Sequence, residues 1–190
     1  MKIIERVIIL AIAFAVGWFG YRGVHSIVST QTPQINALLA TSWNLYLPDR
    51  EITPGMVDPK ITLEVLKSKG WSTSQVRNVT NAEKIEVKEK YNLDPTHHGP
   101  LEIDHLISLE LGGSNDIKNL WPELYDINVN GYNLGAHVKD HLENKLHSMV
   151  IKGQISLEQA QKEISEDWTK AYLKYVGPFP KYESHSKVSN

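Results

Sequence analysis

The chain has 190 residues, 41% of them hydrophobic, with 20 Lys and Arg against 22 Asp and Glu for a formal net charge of -2. This is enough for one sizeable core with an N-terminal appendage, and the balanced charge argues against a protein that grips nucleic acid through a broad basic face. Cysteine is absent, which excludes a disulfide framework and a zinc knuckle and leaves His, Asp, Glu and Asn as the available metal ligands.

At the N-terminus, Lys2 and Arg6 precede the uncharged run Val7–Tyr21, which Arg22 closes. The run is short of the roughly 17–25 residues that span hydrocarbon, but Ile3, Ile4 and snorkelling arginines can extend it, and Trp18, Phe19 and Tyr21 resemble an interfacial belt. Residues 1–28 therefore read as a membrane anchor, with a cleaved signal peptide as the alternative. Either reading exports the rest of the chain.

Residues 29–52 read as a polar linker containing Pro33, with a short helix over 35–43 and a turn at Pro48-Asp49-Arg50. A compact domain is expected over 53–176, opening with the turn Thr53-Pro54-Gly55. Short helices are predicted over Ile61–Lys69, capped by Thr62, and over Thr80–Tyr91, with Ile85, Val87 and Tyr91 apolar and Lys84, Lys88 and Lys90 outward. His97 and His98 fall in a Pro/Gly loop and read as exposed loop residues rather than ligands.

The informative stretch is 102–123. Asp104-His105 stands in an apolar segment that alternates Ile103, His105, Ile107, Leu109 and Leu111 on one face with Asp104, Leu106 and Ser108 on the other. Gly112-Gly113-Ser114-Asn115 is a turn signal, after which the chain returns and sets Asn119 across from the Asp-His strand. Hydrolysis of a phosphodiester needs a deprotonated water, a cation to neutralise developing charge, and an oriented base. His105 suits the base, because imidazole accepts a proton near neutral pH. Asp104 suits the metal, and the Asn119 amide can set the tautomer and direction of the ring. Successive strand side chains point to opposite faces, so a bulge or strand end is needed for the pair to converge. Burying a charge and an imidazole among Ile and Leu without a task is costly.

A loop rich in Asn, Gly and Tyr follows, then a helix from Gly135 to Lys152 stopped by Gly153. His137 and His141 lie one turn apart on it and can bite a single cation, with Asp140, Glu143 and Asn133 as rivals. Lys84, Lys88 and Lys90 on the earlier helix, with Lys118, Lys139 and Lys145 near the hairpin, are the candidates for contact with nucleic acid. Ser156-Leu157-Glu158-Gln159 reads as a capping box opening a last helix over 156–175, whose apolar face Leu157, Ala160, Ile164, Trp168, Ala171 and Tyr175 packs on the domain core. Residues 177–190, with their prolines and serines, read as a loose tail.

Strand, turn, strand and helix with ligands on the first strand and the helix make a ββα-metal module over 101–152, so the expected class is α+β, mainly helical around that hairpin. Asp104-His105-Leu106-Ile107-Ser108-Leu109-Glu110-Leu111-Gly112-Gly113, Asn119-Leu120-Trp121-Pro122-Glu123 and Lys139-Asp140-His141-Leu142-Glu143-Asn144 resemble the HNH endonucleases, as do Thr53-Pro54-Gly55, Gly70-Trp71 and Val76-Arg77-Asn78-Val79. The resemblance covers about two thirds of the chain. It implies a nuclease that cuts nucleic acid, DNA in the first place, with one divalent cation (Mg²⁺, Mn²⁺, Ni²⁺ or Zn²⁺) held by Asp104 and a helix residue. A non-catalytic, metal-stabilised binding module is the alternative.

Overall fold

The computed structural model describes residues 46–96 and 99–183. The expected anchor, most of the linker with its short helix, His97, His98 and the last seven residues lie outside the described residues. The described chain is α+β. In chain order it runs α1 (Leu63–Leu66), α2 (Asn81–Lys90), β1 (Leu101–His105), β2 (Leu120–Leu124), β3 (Asn128–Val129), β4 (Tyr132–Asn133), α3 (Ala136–Ile151) and α4 (Leu157–Tyr175).

β1 and β2 pair antiparallel, with Glu102 opposite Glu123, Asp104 opposite Trp121 and His105 opposite Leu120. The strand ends at His105. The alternation expected through Leu111 stops there, because residues 109–111 form a 3-10 turn and Leu106, Ile107 and Leu109 are all buried.

α2 is held at its start by a reciprocal capping box. Glu83 N–H donates to the Thr80 hydroxyl at 3.2 Å and Thr80 N–H to the Glu83 carboxylate at 2.6 Å, a motif worth about 1 kcal/mol. The helix buries Val87, and Tyr91 follows at its end, in a small core with Leu93, Leu106, Leu120 and Trp121. Thr53 ties the start of the domain to this core: its hydroxyl donates to Leu120 O at 2.8 Å and lies 2.6 Å from the Tyr91 hydroxyl.

A larger core joins α3 and α4. Leu142, Leu146 and Val150 meet Leu157, Ala160, Ile164, Trp168 and Ala171, so the period read along the last helix describes a buried face. Only half of the capping box at Ser156 forms, its hydroxyl accepting from Gln159 N–H at 3.0 Å, while the Gln159 amide donates to Glu163. α4 kinks at Asp167, where φ is -167° and ψ 94°. The Asp167 carboxylate accepts from Thr169 N–H at 3.1 Å and restarts the helix as a new cap, while Trp168 Nε1 donates to Tyr46 O at 2.6 Å.

Two loops differ from expectation. The segment between β2 and α3 folds into the small hairpin β3–β4, turning at Asn130 and Gly131, whose φ values are +53° and +85°; positive φ at both central residues is what a type I′ turn requires. The tail is packed as far as Tyr182. Phe179 stacks on Tyr172 with ring centroids 4.8 Å apart, Asn133 N–H donates to Pro180 O at 2.9 Å and Tyr182 N–H to Gly131 O at 3.0 Å. The aromatic and backbone partners outweigh the local signal of Pro and Ser.

Candidate active site at the end of the hairpin

The loop from Leu106 to Asn119 carries the hairpin past His105, and Asn119 holds that loop in shape. Its side chain is completely buried. The Asn119 carbonyl accepts from Ile107 N–H at 3.0 Å and Met56 N–H at 3.3 Å, and its amide donates to Ile107 O at 3.0 Å and Ser114 O at 2.8 Å. The side chain is thereby saturated. Asn119 thus does not orient His105, as the sequence suggested; it staples the loop to itself and to the 53–58 segment. Gly113 completes the close approach, since a Cβ there would stand 1.8 Å from Ile107 O.

The partner of His105 is Asn115, which the sequence presents only as a turn residue. His105 Nε2 lies 3.2 Å from Asn115 Oδ1. The orientation of that amide is set from its other side: Asn115 Nδ2 donates to Val76 O at 2.8 Å, and Asn115 Oδ1 accepts from Asn78 N–H at 3.2 Å. An oxygen facing the ring requires Nε2 to carry the proton, so Nδ1 holds the lone pair. Nδ1 is buried and has no hydrogen-bond partner among the described residues. Burial holds the pKa of His105 below its ordinary value; the Asp104 charge and the Asn115 bond oppose this only in part, and Arg77 and Lys139 reinforce it. The imidazole is therefore neutral at pH 7, with a buried acceptor that no described residue occupies.

Asp104 reaches toward α3, where Lys139 meets it, and its charge acts on the His105 ring. Lys139 Nζ lies 2.7 Å from Asp104 Oδ2, 2.9 Å from the His105 carbonyl, 2.5 Å from Glu143 Oε1 and 3.3 Å from Glu123 Oε2. Lys139 is completely buried, which overturns its expected role as a contact to nucleic acid. The signal was present in the spacing: Lys139, Leu142, Leu146 and Val150 share the buried face of α3, and an ammonium on that face needs carboxylates.

The cluster divides its charges. Burial pushes Asp104 up, but the charge and hydrogen bond of Lys139 outweigh it and hold this carboxyl below the usual range. Burial raises Glu123 well above its ordinary value, against the opposing pull of Lys139, and Asp104 and Glu143 add to the rise. Glu143 is pushed up to about 8 by burial, again against Lys139. One ammonium thus neutralises the ionised Asp104, while burial shifts the two glutamates beside it toward their protonated forms.

The expected helix ligands do not join Asp104. His137 is 64% exposed, lies 3.8 Å from Asp126 Oδ1 and stacks on Tyr125; His141 is exposed. Among the described residues no three His, Asp or Glu side chains converge on a point that could hold a metal ion. Asn133 is committed to the β2–α3 connection, accepting from Ile127 and Gly135 N–H at 3.1 and 3.0 Å. Of the helix residues weighed, Asp140 and Glu143 are the ones whose charge is felt at this edge: both act with Asp104 there, Asp140 on Glu102 and Glu143 on Glu123. Lys118 and Lys145 are exposed and form no salt bridge among the described residues.

Comparison with protein-family models finds no match. Curated proteins give none either, and no solved structure matches the fold.

Proposed function

We propose that the chain is a metal-dependent endonuclease of the HNH type that hydrolyses phosphodiester bonds in nucleic acid, DNA in the first place. The observation that carries this reading is the state of His105: a neutral ring clamped through Nε2 by Asn115, with a buried, unpartnered Nδ1 beside an ionised aspartate. Buried polar atoms without partners are rare and call for an explanation, and a base kept open for a water is one.

In this account His105 Nδ1 takes the proton of the attacking water as its oxygen adds to phosphorus and the P–O bond to the leaving nucleotide breaks. One divalent cation, when bound, supplies neutralisation of the charge that develops on the phosphoryl and leaving oxygens. Asp104 would hold it. Its carboxylate is ionised by Lys139 and 19% exposed, and an ion of the Mg²⁺ kind needs only one or two protein carboxylates, the remaining positions being water and substrate oxygens. Lys139 fixes the Asp104 carboxylate and the His105 backbone relative to each other, as the base and the metal require. The N-terminal run Val7–Tyr21 would tether the enzyme to a membrane, or direct its secretion, and place the domain outside the cytoplasm.

A second reading, a non-catalytic binding module for nucleic acid or protein, is favoured by one feature: the Lys139 cluster ties hairpin to helix with a cation of its own. Incubating the protein with supercoiled plasmid in EDTA or in Mg²⁺, Mn²⁺, Ni²⁺ or Zn²⁺ separates the two. Metal-dependent nicking supports the nuclease, and intact plasmid in every metal supports the module.

A further inference from the structure

A cleft of about 420 Å³ opens beside β1, between that strand and α2. Arg77, Lys84 and Lys88 stand on its rim, Leu101 and Ile103 contribute apolar surface, and Tyr125 lines it as well. Tyr125 is backed by His137, the two rings stacked 19° from parallel with centroids 5.7 Å apart. Glu102 is the single acidic residue in the lining, and burial together with Asp104 and Asp140 raises its pKa.

The cleft is joined to His105 through the backbone. Val76 and Asn78, on either side of Arg77, both hydrogen-bond to Asn115, which holds His105. Arg77 is thus carried on the same short segment that sets the base, and its charge acts on both His105 and Glu102. It forms no salt bridge among the described residues. Lys84 is likewise without a salt bridge there, and Lys88 donates to Pro95 O at 3.1 Å.

We infer that this cleft binds a single-stranded segment of nucleic acid next to the scissile bond, with Arg77, Lys84 and Lys88 on successive phosphates and a splayed base on the Tyr125–His137 platform. Cations that track a backbone beside a stacking ring are the way unpaired strands are held. The volume lies at the small end of the roughly 300–1,000 Å³ typical of ligand pockets, suited to a splayed nucleotide and not to a duplex. Guanidinium is the better partner for a phosphate held near the reacting centre, because its fork reaches two oxygens. The inference rests on the nuclease reading for the place of the scissile bond, but not for the binding itself.

The test is fluorescence anisotropy of the full chain in EDTA, with a labelled oligothymidylate of twelve nucleotides and with a labelled duplex of twelve base pairs. The single strand should bind more tightly. Tyr125→Ala should weaken it roughly 5- to 150-fold, as removal of one stacking partner does, while Tyr125→Phe binds like the parent and controls for folding. Arg77→Gln and Lys84→Gln should each weaken binding and lower the salt slope by about 0.7. Glu102→Gln should strengthen it, whereas Lys162→Gln and Lys170→Gln, on α4 and outside the lining of the cleft, change nothing. Equal or tighter binding of duplex, or Arg77→Gln and Tyr125→Ala proteins that bind like the parent, would overturn the inference even if plasmid is nicked. Strand binding with this pattern and no nicking in any metal would overturn the nuclease and leave the cleft standing.

Discussion

Lys139 Nζ lies 2.7 Å from Asp104 Oδ2, and the side chains concerned are 1% and 19% exposed. The expected metal ligand is therefore held from behind by an ammonium on the helix, and the same ammonium holds the His105 carbonyl. Lys139 thus supports the geometry of the site from beneath.

Replacing Lys139 by Met leaves one buried and two partly buried carboxyl groups around an apolar side chain. Removal of one partner from a buried ionic cluster costs about 3–5 kcal/mol, so urea denaturation of Lys139→Met should show a loss of that order. Binding of nucleic acid by whatever fraction remains folded should keep its salt dependence, since Lys139 touches no solvent. A stable variant with a shallower salt slope would return Lys139 to the surface role first expected.

Asn115 and Asn119 are predicted to separate by phenotype. Asn119→Ala removes four hydrogen bonds and strands buried backbone groups at Ile107 and Ser114, at roughly 1–3 kcal/mol for each unsatisfied group, so it should fail first by unfolding. Asn115→Ala frees the His105 ring while leaving the loop staple in place. It should keep most of the stability and lose catalytic rate, and equal melting losses for the two variants would contradict this division of roles.

The difference between these asparagines shows what was legible in the sequence. The Asp104-His105 pair, the turn after it, Asn119 as a key residue and the helix beyond were all visible as residue types at spacings set by strand, turn and helix. Their partners were not, because they depend on chain segments far apart: Asn115 is oriented by Val76 and Asn78, and Lys139 is satisfied by Glu123 from β2. Local pattern placed Asn119 opposite the strand but could not tell whether its amide faces the ring or the backbone. The lysines show the same limit. Only the shared spacing with Leu142, Leu146 and Val150 marked Lys139 as buried, whereas Arg77 and Lys84 join the cleft through tertiary packing.

Gly113→Ala is expected to be among the most damaging small substitutions. Its Cβ would meet Ile107 O at 1.8 Å and Ser108 O at 2.9 Å; the first cannot move without breaking its bond from Asn119, nor the second without losing those from Leu111 and Gly113 N–H. A stability loss of several kcal/mol is expected, above the roughly 0.5–3 of ordinary substitutions, and thermal melting measures it.

Two groups give pH dependences of opposite sign. The pKa of His105 is lower folded than unfolded, so the stability linked to it is full above about 6.5 and is lost as pH falls toward the folded value. Glu143 is raised from 4.5 to about 8, so its contribution is full below 4.5 and is lost as pH rises through about 8. Denaturant midpoints across pH 4 to 9 should rise with pH on the acid side in the parent but not in His105→Ala. The fall as pH rises toward about 8 should be smaller in Glu143→Gln, with Glu123 and Glu102 keeping their own share. If both variants retain the parent profile, these two groups are not its source.

If Nδ1 of His105 is the base, the rate of metal-dependent plasmid nicking by His105→Ala beside the parent protein, with folding matched by circular dichroism, will show it. A loss of roughly 10² to 10⁴ in rate is expected, with the acid limb of the parent's profile below about 6.5. Nicking by folded His105→Ala at the parent rate would contradict it.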